Sequence, residues 1–440
     1  MIGAFPWDPF PPGEPDPKGP DPIPAIAYRA AMTAADAYHA VRLALRREGG
    51  ALRVGNRFVP DGRYREAAIL ALGNAASSLA LAALHTLGDR LTRGFLAGPD
   101  PVPPELPFRG VRLPPGLPGT PVAEEVVAAA FEIASELSAQ DLFLLLLSPG
   151  ALRALAAPPP GMAPDAFASL LAEAQARGAT GREVALVTRV LGTGGVGGRL
   201  AFAAPRADVA TLVVERGDGA TVLGGGPTRP IEPTERIEAK ATLARIGLGG
   251  AVPEDAFAPR PGDPRPLPGG LVARPVAVAG PGEALRAAAD AVFEKGWTAR
   301  LGFLELREPP EAAADRFVER AEALFSAEKI SPESRSKGVA VFAATTLGLP
   351  EGVDEGPALV AFLARARDIA RRREMSVTLV RTSGDIGDPA YPPGAVVGAP
   401  TDPDATVTAG HARGLRMGRG ITDVGCLAIA AYPRPSLPSG

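Results

Sequence analysis

The sequence is poor in cysteine, histidine and lysine, the residue types that supply much of the nucleophilic and metal-binding chemistry of enzymes. Its 440 residues include one cysteine, three histidines and five lysines. A single cysteine excludes an intrachain disulfide and a cysteine-rich zinc site. The histidines show no spacing typical of a metal-ligand set or of a serine–histidine–aspartate triad. We therefore predict no metal site, and we interpret Cys426 as a small buried hydrophobic residue.

Long apolar runs and an excess of positive charge are also missing. No run of 18 apolar residues occurs, and the N-terminus lacks the basic-then-apolar pattern of a secretory signal. The formal net charge is −3 at pH 7, which argues against a broad nucleic-acid-binding surface. We therefore expect a cytoplasmic protein that binds neither membranes nor nucleic acid.

Proline and glycine, by contrast, are abundant, with 49 and 52 residues. The overall composition is globular, and the length favours two domains. Prolines concentrate in residues 1–24, a segment that also contains Phe5, Trp7 and Phe10. Such a segment forms neither a helix nor a central strand. We predict a Pro-rich extended arm, either a free tail or an element whose aromatic side chains dock on a domain or a partner.

Apolar runs alternate with amphipathic helical patterns along the first part of the chain. Residues 67–72, 142–147 and 209–214 are short apolar runs typical of strands in a parallel sheet. Their alternation with helices predicts a doubly wound α/β, Rossmann-like N-terminal domain. The helices are predicted over residues 25–47, up to residue 87, and over 122–137, 165–177 and 183–191.

A Pro- and Gly-rich stretch at residues 249–270 marks a domain boundary. We place the N-terminal domain at 25–265 and a smaller α/β C-terminal domain at 266–440, with a cleft between them. The second domain is predicted to contain strands at 275–279, 300–306, 376–381 and 426–431, and helices at 283–295, 311–325 and around 357–372.

Ligands of doubly wound sheets bind in the loops that follow the carboxyl ends of the strands, and here those loops carry a family resemblance. The segments, in chain order, are ALGNAASSLA (71–80), DLFLLLLSPGALRAL (141–155), GGRLA (197–201), GGPT (225–228), TSGDIGDP (382–389) and GRGITDVGCL (418–427). By order and spacing the chain resembles the class II glycerate kinases over residues 25–433. This resemblance implies a DUF4147-like domain at 25–265, a MOFRL-like domain at 266–440, and phosphorylation of D-glycerate with ATP and Mg²⁺.

The resemblance also places the family's charged positions on less polar residues. The lysine of the family's glycine–lysine loop falls at Asn74, and its SGGGS loop begins at Ser148 and continues with Pro149. A second family lysine falls at Val196. Phosphoryl transfer needs positive charge beside the developing negative oxygens. The substitutions therefore predict weakened phosphoryl-transfer chemistry.

Three further positions complete the vestigial cleft that the resemblance implies. Arg189 is the cation that survives from a basic run of the family, and Asp218 is a carboxylate near the family's Ser–Asp pair, which falls at residues 213–214. The aspartate of the family's TDG loop falls at Ser383. A glycine- and arginine-containing loop of the family is expected at 327–340, where Arg335 and Lys337 are candidate remnants.

Two glycine-rich turns are candidates for cofactor binding. Gly197 and Gly198 end the run GTGGVGG, and Gly225, Gly226 and Thr228 lie in GGPT. Each turn is either a cradle for phosphate or an ordinary flexible turn, since neither has the GxGxxG or GxxxxGK[ST] pattern. The missing GxGxxG turn argues against an NAD dehydrogenase.

These features lead to one function hypothesis with two alternatives. We expect a glycerate 2-kinase-like protein that has lost phosphoryl transfer and acts as a structural or regulatory subunit, with a protein partner or as a homo- or hetero-oligomer. The first alternative is an active kinase of D-glycerate or a related small hydroxy acid, using ATP and Mg²⁺. The second is a small-molecule-binding module without chemistry.

Overall fold

The computed structural model describes residues 22–113, 121–204, 206–214, 226–260, 263–264, 275–306, 309–326, 339–345, 361–362, 364–366, 376–381, 394–397 and 426–432. Contacts between Cα atoms divide the chain into two compact units. One unit is built from Ala37–Ala279, and the other from residues up to Asp36 together with residues from Gly280 onward. The domain boundary predicted near residue 265 stays a prediction.

The described helices and strands follow in chain order. The helices are α1 (Pro22–Ala35), α2 (Ala37–Ala44), α3 (Ala76–Leu87), α4 (Pro121–Ser135), α5 (Ala151–Leu155), α6 (Pro164–Ala176), α7 (Gly181–Leu191), α8 (Arg199–Ala203), α9 (Pro233–Arg245), α10 (Pro281–Glu294) and α11 (Pro310–Ser326). The strands are β1 (Leu45–Glu48), β2 (Ala51–Val54), β3 (Arg57–Pro60), β4 (Glu66–Leu72), β5 (Leu91–Gly98), β6 (Gly110–Arg112), β7 (Asp141–Leu147), β8 (Ala156–Ala157), β9 (Thr193–Gly194), β10 (Asp208–Val214), β11 (Val276–Ala279), β12 (Thr298–Leu306), β13 (Val339–Thr345), β14 (Ser376–Arg381), β15 (Gly394–Val397) and β16 (Cys426–Tyr432).

The unit Ala37–Ala279 is organised around a six-stranded sheet in the order β11-β10-β7-β4-β5-β6. Its neighbouring strands are all parallel. The chain runs from β4 outward to β5 and β6, then returns to β7 on the other side of β4. The order therefore reverses between β4 and β7, which confirms the predicted doubly wound α/β fold and locates its switch point.

The central strands are buried on both faces, as the apolar runs predict. Leu70, Phe143 and Leu145 belong to one core cluster with residues of α4, α6, α7 and α9. Because side chains of a strand alternate between faces, the intervening Ile69 and Leu144 point to the opposite face, and they too are fully buried. Helix α3 contacts β4, β5 and β7. Helices on both faces thus exclude water from the sheet.

The predicted helix over residues 25–47 was too long. The structure has two helices that break at Asp36, and residues from Leu45 onward form the antiparallel meander β1-β2-β3. Gly49 and Gly50 join β1 to β2, with φ angles of 56° and 81°. Two consecutive residues with positive φ form a two-residue hairpin turn of the type that glycine pairs favour. The glycine pair therefore reverses a strand, where the sequence pattern indicated a helix stop.

The second unit contains a five-stranded mixed sheet in the order β12-β13-β16-β14-β15. Strands β12 and β13 are parallel, and the other pairs are antiparallel. The strand predicted at 275–279 exists as β11, but it was assigned to the wrong sheet: it pairs with β10 at the edge of the six-stranded sheet. A four-residue apolar strand carries no signal of which sheet it joins. Most of the helix predicted around 357–372 lies outside the described residues.

Within the described part of the chain, every helix is too short or too polar to cross a lipid bilayer.

Thr211 offers a test of packing in the central sheet. It lies in β10, is 1% exposed, and its Oγ1 has no hydrogen-bond partner. A buried hydroxyl without a partner costs about 1–3 kcal/mol of desolvation. Replacing it by the similarly shaped Val should therefore raise the free energy of unfolding by about 1 kcal/mol in urea denaturation.

Thr188→Val is the matched control for this prediction. Thr188 is equally buried, but its Oγ1 donates to the Val184 carbonyl at 2.8 Å. Its replacement removes a satisfied hydrogen bond and should lower stability. The interpretation of Thr211 is contradicted if both variants are destabilised equally.

Candidate functional site

The switch point brings two predicted site residues, Asn74 and Ser148, to the same edge of the sheet. Leu72 at the end of β4 lies opposite Leu147 at the end of β7 in the parallel register. The loops that follow, residues 73–75 and 148–150, therefore begin side by side. This is the location where open α/β sheets bind ligands.

The two loops are interlocked by hydrogen bonds. The Ser148 Oγ donates to the Leu72 carbonyl at 3.0 Å and accepts from the Ala75 amide, also at 3.0 Å. The Asn74 amide donates to the Pro149 carbonyl at 2.9 Å. Gly73 has a φ of 101°, and a Cβ there would lie 2.4 Å from the Ser148 carbonyl oxygen. Only glycine permits this approach, so the interlock depends on Gly73.

The interlock leaves these loops with little to offer an anion. The amides of Asn74 and Ala75 point to protein acceptors, and Pro149 has no amide hydrogen. The Asn74 side chain is exposed but uncharged. Arg153, the next cation along the chain, donates to Gln175 at 3.4 Å. The side chains of the two loops therefore supply no positive charge for the triphosphate of ATP and no carboxylate for its Mg²⁺.

The two glycine-rich turns form a second, tightly packed junction. The Gly198 amide donates to the Gly226 carbonyl at 3.1 Å, and the Ala201 amide donates to the Pro227 carbonyl at 3.2 Å. A Cβ on Gly198 would lie 2.7 Å from the Arg229 carbonyl carbon. Thr228 is 4% exposed. The structure thus brings Gly197, Gly198, Gly226 and Thr228 together, as backbone packed against backbone.

Arg189 stabilises this junction from the protein interior. Its side chain is completely buried and forms an ion pair with Glu235. Its Nη2 donates to the carbonyls of Arg229 and Pro230 at 2.8 and 2.9 Å. Burial lowers the pKa of Arg189, and the charge of Glu235 opposes that shift. The cation that survives from the family's basic run is therefore engaged in holding the turn at 229–230.

Glu235 connects the same junction to the start of α9. Its Oε1 also accepts from Arg229 at 2.8 Å, and its Oε2 accepts from the Glu232 amide at 2.8 Å. Glu232 and Glu235 form a reciprocal capping box, with Pro233 in the first turn of the helix. Helix starts of this kind satisfy amides that otherwise have no partner.

A cluster around Asp263 was not predicted from the sequence, where the Pro- and Gly-rich stretch 249–270 was interpreted as a domain boundary. The Asp263 carboxylate pairs with Arg199 and with Arg236, the latter at 2.8 Å, and accepts from the Arg260 amide at 3.0 Å. The Arg260 guanidinium donates to the carbonyls of Leu191 and Gly192 at 2.6 and 3.1 Å. Arg199 begins α8, Arg236 lies in the first turns of α9, and Arg260 lies in the loop just before Asp263. Because the three arginines come from separate parts of the chain, spacing gave no signal of their common partner.

Several remaining predicted positions are apolar and buried. Val196, Val213 and Val214, where the resemblance expects lysine, serine and aspartate, are fully buried. Asp218, Gly225, Ser383, Arg335 and Lys337 lie outside the described residues. In the described ranges no group of three or more His, Cys, Asp or Glu residues could hold a metal ion.

Comparisons with known proteins agree with this architecture. A family model described as a domain of unknown function, DUF4147, matches residues 25–258. The crystal structure of the PH0495 protein from Pyrococcus horikoshii OT3 is similar with a TM-score of 0.69 and 18% identity, covering 94% of this chain and 98% of that one. A glycerate kinase from Thermotoga maritima has a TM-score of 0.68 and 18% identity, covering 93% and 99%. No curated protein matches. At this identity the solved structures show the fold alone.

The buried ion pair makes Arg189 a sensitive test of the glycine junction. Arg189→Met removes a fully buried cation that holds Glu235 and two carbonyls. Breaking one side of a buried pair typically costs about 3–5 kcal/mol. We expect a loss of about 3 kcal/mol in urea denaturation, below the upper range because Arg229 still pairs with Glu235.

Arg109→Met is the control for a surface pair. Arg109 and Glu132 are 3.4 Å apart, with side chains 65% and 62% exposed. Such pairs contribute about 0–1 kcal/mol. Equal losses in the two variants would contradict the anchoring role of Arg189.

The Asp263 cluster predicts a dependence of stability on pH. Burial raises the pKa of Asp263, but the Arg260 amide and the charges of Arg199 and Arg236 outweigh it and hold the pKa below 3.8. A depressed carboxylate pKa stabilises the folded state above the unfolded-state pKa and stops doing so as the pH falls through the folded value. Asp263→Asn should therefore be less stable than the native chain near neutral pH, and the difference should narrow below about pH 4. Urea denaturation across this pH range measures it; a constant difference would contradict the prediction.

Proposed function

The chain belongs to the DUF4147 family, and from that premise we propose that it is a non-catalytic protein of glycerate-kinase-like fold, which acts by binding as a structural or regulatory subunit. The observation that carries this proposal is the interlocked switch point. There, the loops that face the ligand site in this class of sheet bond to each other instead of presenting donors outward.

The charge at the switch point supports the proposal. Phosphoryl transfer depends on positive groups and oriented donors around the transferred phosphate. The resemblance assigns a lysine to position 74, where the chain has an exposed asparagine. The amides of residues 74 and 75, the backbone donors beside it, are already bonded to Pro149 and Ser148.

The other positions support it independently. Val196 and Val213 lie in fully buried, apolar surroundings, where an ionised side chain would be costly. Arg189 is engaged by Glu235 and two carbonyls. Each missing transition-state contact typically costs about a hundredfold or more in rate. Losses at several positions leave little transfer chemistry.

The retained fold is the basis for the proposed binding role. A TM-score of 0.68 over nearly the full length of a glycerate kinase indicates that the scaffold has been kept. D-glycerate, related hydroxy acids and ATP with Mg²⁺ are therefore the first ligands to test, and a protein partner is the expected biological context.

The proposal is tested by measuring ATP consumption with D-glycerate and related hydroxy acids, with and without Mg²⁺. We expect no turnover above the background of protein-free controls, while thermal shifts report any hydroxy acid or nucleotide that binds. Robust, Mg²⁺-dependent turnover would overturn the proposal in favour of an active kinase with a diverged site.

Restoring a positive charge at position 74 tests whether the chain lacks a single catalytic group or several. Asn74→Lys places an ammonium at the switch point, and Asn56→Lys places one at another exposed asparagine, in the turn between β2 and β3. We expect Asn74→Lys to bind ATP several-fold more tightly than Asn56→Lys but to remain without turnover. Turnover in Asn74→Lys alone would show that the rest of the machinery is intact.

A further inference from the structure

A polar pocket lies at the opposite edge of the six-stranded sheet from the switch point. It has a volume of about 330 Å³ and is lined by Asp61, Gly62, Tyr64, Arg65, Arg90 and Gln140. Arg65, Arg90 and Gln140 directly precede β4, β5 and β7. The pocket therefore sits at the amino-terminal edge of the sheet, and its size falls at the lower end of small-molecule sites.

Arg90 is held in a fixed position at this pocket. Its Nη1 donates to the Asp61 Oδ1 at 3.0 Å and to the Asp61 carbonyl at 3.3 Å. Its guanidinium carbon lies 5.0 Å from the centre of the Tyr64 ring, in the range of a cation–π contact. A guanidinium fixed in this way loses little further entropy when it meets a ligand.

Positive charge exceeds negative charge around the pocket. Asp61 is shared between Arg90 and Arg47, whose Nη1 lies 3.7 Å from the same carboxylate oxygen. Arg65 has a side chain that is 73% exposed, with Glu66 at 3.8 Å. Glu66 is itself shared with Arg93 at 3.5 Å. An anion would find in Arg65 a cation that is weakly paired in the described part of the chain.

Tyr64 supports the pocket with its ring. The residue is 2% exposed and its hydroxyl is buried away from solvent, while its ring lies against the Arg90 guanidinium. An oxyanion in the pocket would therefore meet the guanidiniums of Arg65 and Arg90, which suit carboxylate and phosphate oxygens.

We propose that this pocket, lined by Tyr64, Arg65 and Arg90, is a second binding site, which takes a small oxyanion such as a phosphate ester or a carboxylate. It is distinct from the switch-point crevice and does not depend on whether the chain transfers phosphoryl groups. Its chemistry is the reverse of that of the crevice, because here Arg65 and the fixed Arg90 line a pocket that the protein leaves open.

The test titrates the full chain with inorganic phosphate and, separately, with D-glycerate, at constant ionic strength set with KCl. Isothermal titration calorimetry and thermal shift measure affinity for the native chain, Arg65→Gln and Tyr64→Phe. Arg42→Gln is the control, because Arg42 is an exposed arginine on α2, away from the pocket.

We expect phosphate to bind the native chain and Arg42→Gln equally, and Arg65→Gln about tenfold more weakly, as the loss of a charge-assisted hydrogen bond predicts. Tyr64→Phe keeps the aromatic ring beside Arg90 and should bind phosphate as the native chain does. If D-glycerate binds and phosphate does not, and if Arg65→Gln weakens the binding of D-glycerate, the site is supported with a carboxylate as its ligand. The proposal is overturned if neither anion binds below about 10 mM, or if Arg65→Gln and Arg42→Gln bind equally.

Discussion

The close contact between the ends of β4 and β7 is the constraint on which the rest of the site depends. Gly73 and Ser148 approach so closely that a single added carbon at position 73 would collide with a carbonyl oxygen. The Ser148 hydroxyl then bonds to both neighbouring backbone segments. These contacts join β4 and β7 at the switch point, where the chain leaves β4 toward one side of the sheet and leaves β7 toward the other. The same arrangement also engages the amides of Asn74 and Ala75 with protein acceptors, so the contacts that join the two strands occupy two of the donors at the crevice.

Buried charge serves the fold in a similar way. Arg189 with Glu235, and Asp263 with its arginines, connect the end of α7, the glycine turns and the start of α9. Burying ions is expensive, and pairing and hydrogen bonds repay only part of the desolvation. These buried ion pairs favour one conformation of loops that contain many glycines and prolines. Cations engaged in this way do not serve a phosphate, and therefore the count of arginines in a sequence overstates its capacity to bind anions.

The sequence predicted the parts of the fold that depend on local patterns and missed those that depend on distant partners. The run 142–147 was identified as a central strand because a short run of consecutive apolar residues between turn signals is typical of a strand buried on both faces. Gly49–Gly50 was misjudged because a glycine pair ends a helix and turns a hairpin equally well, and the difference lies in positive φ angles that depend on β1 and β2 pairing. Strand β11 was assigned to the wrong sheet because its four residues carry no information about β10. Near the switch point, motif spacing placed Asn74 and Ser148 in the loops after β4 and β7. The pairs Arg189–Glu235 and Arg199–Asp263 could not be predicted, because their members are 46 and 64 residues apart in the chain, separations at which spacing predicts no contact.

The same geometry also determines which of the matching residues carry information about function. Gly73 and Gly198 are required by backbone packing, since a side chain at either would collide with a neighbouring main chain. Their presence would follow from the fold alone, with or without a ligand, so a resemblance built on glycines measures architecture. Asn74 is different, because its side chain is exposed and the interlock uses only its backbone. Packing would tolerate lysine there as readily as asparagine, so packing does not account for the asparagine at this position. For this reason the uncharged side chain at 74 weighs more in the proposed loss of phosphoryl transfer than the matching glycine turns weigh against it.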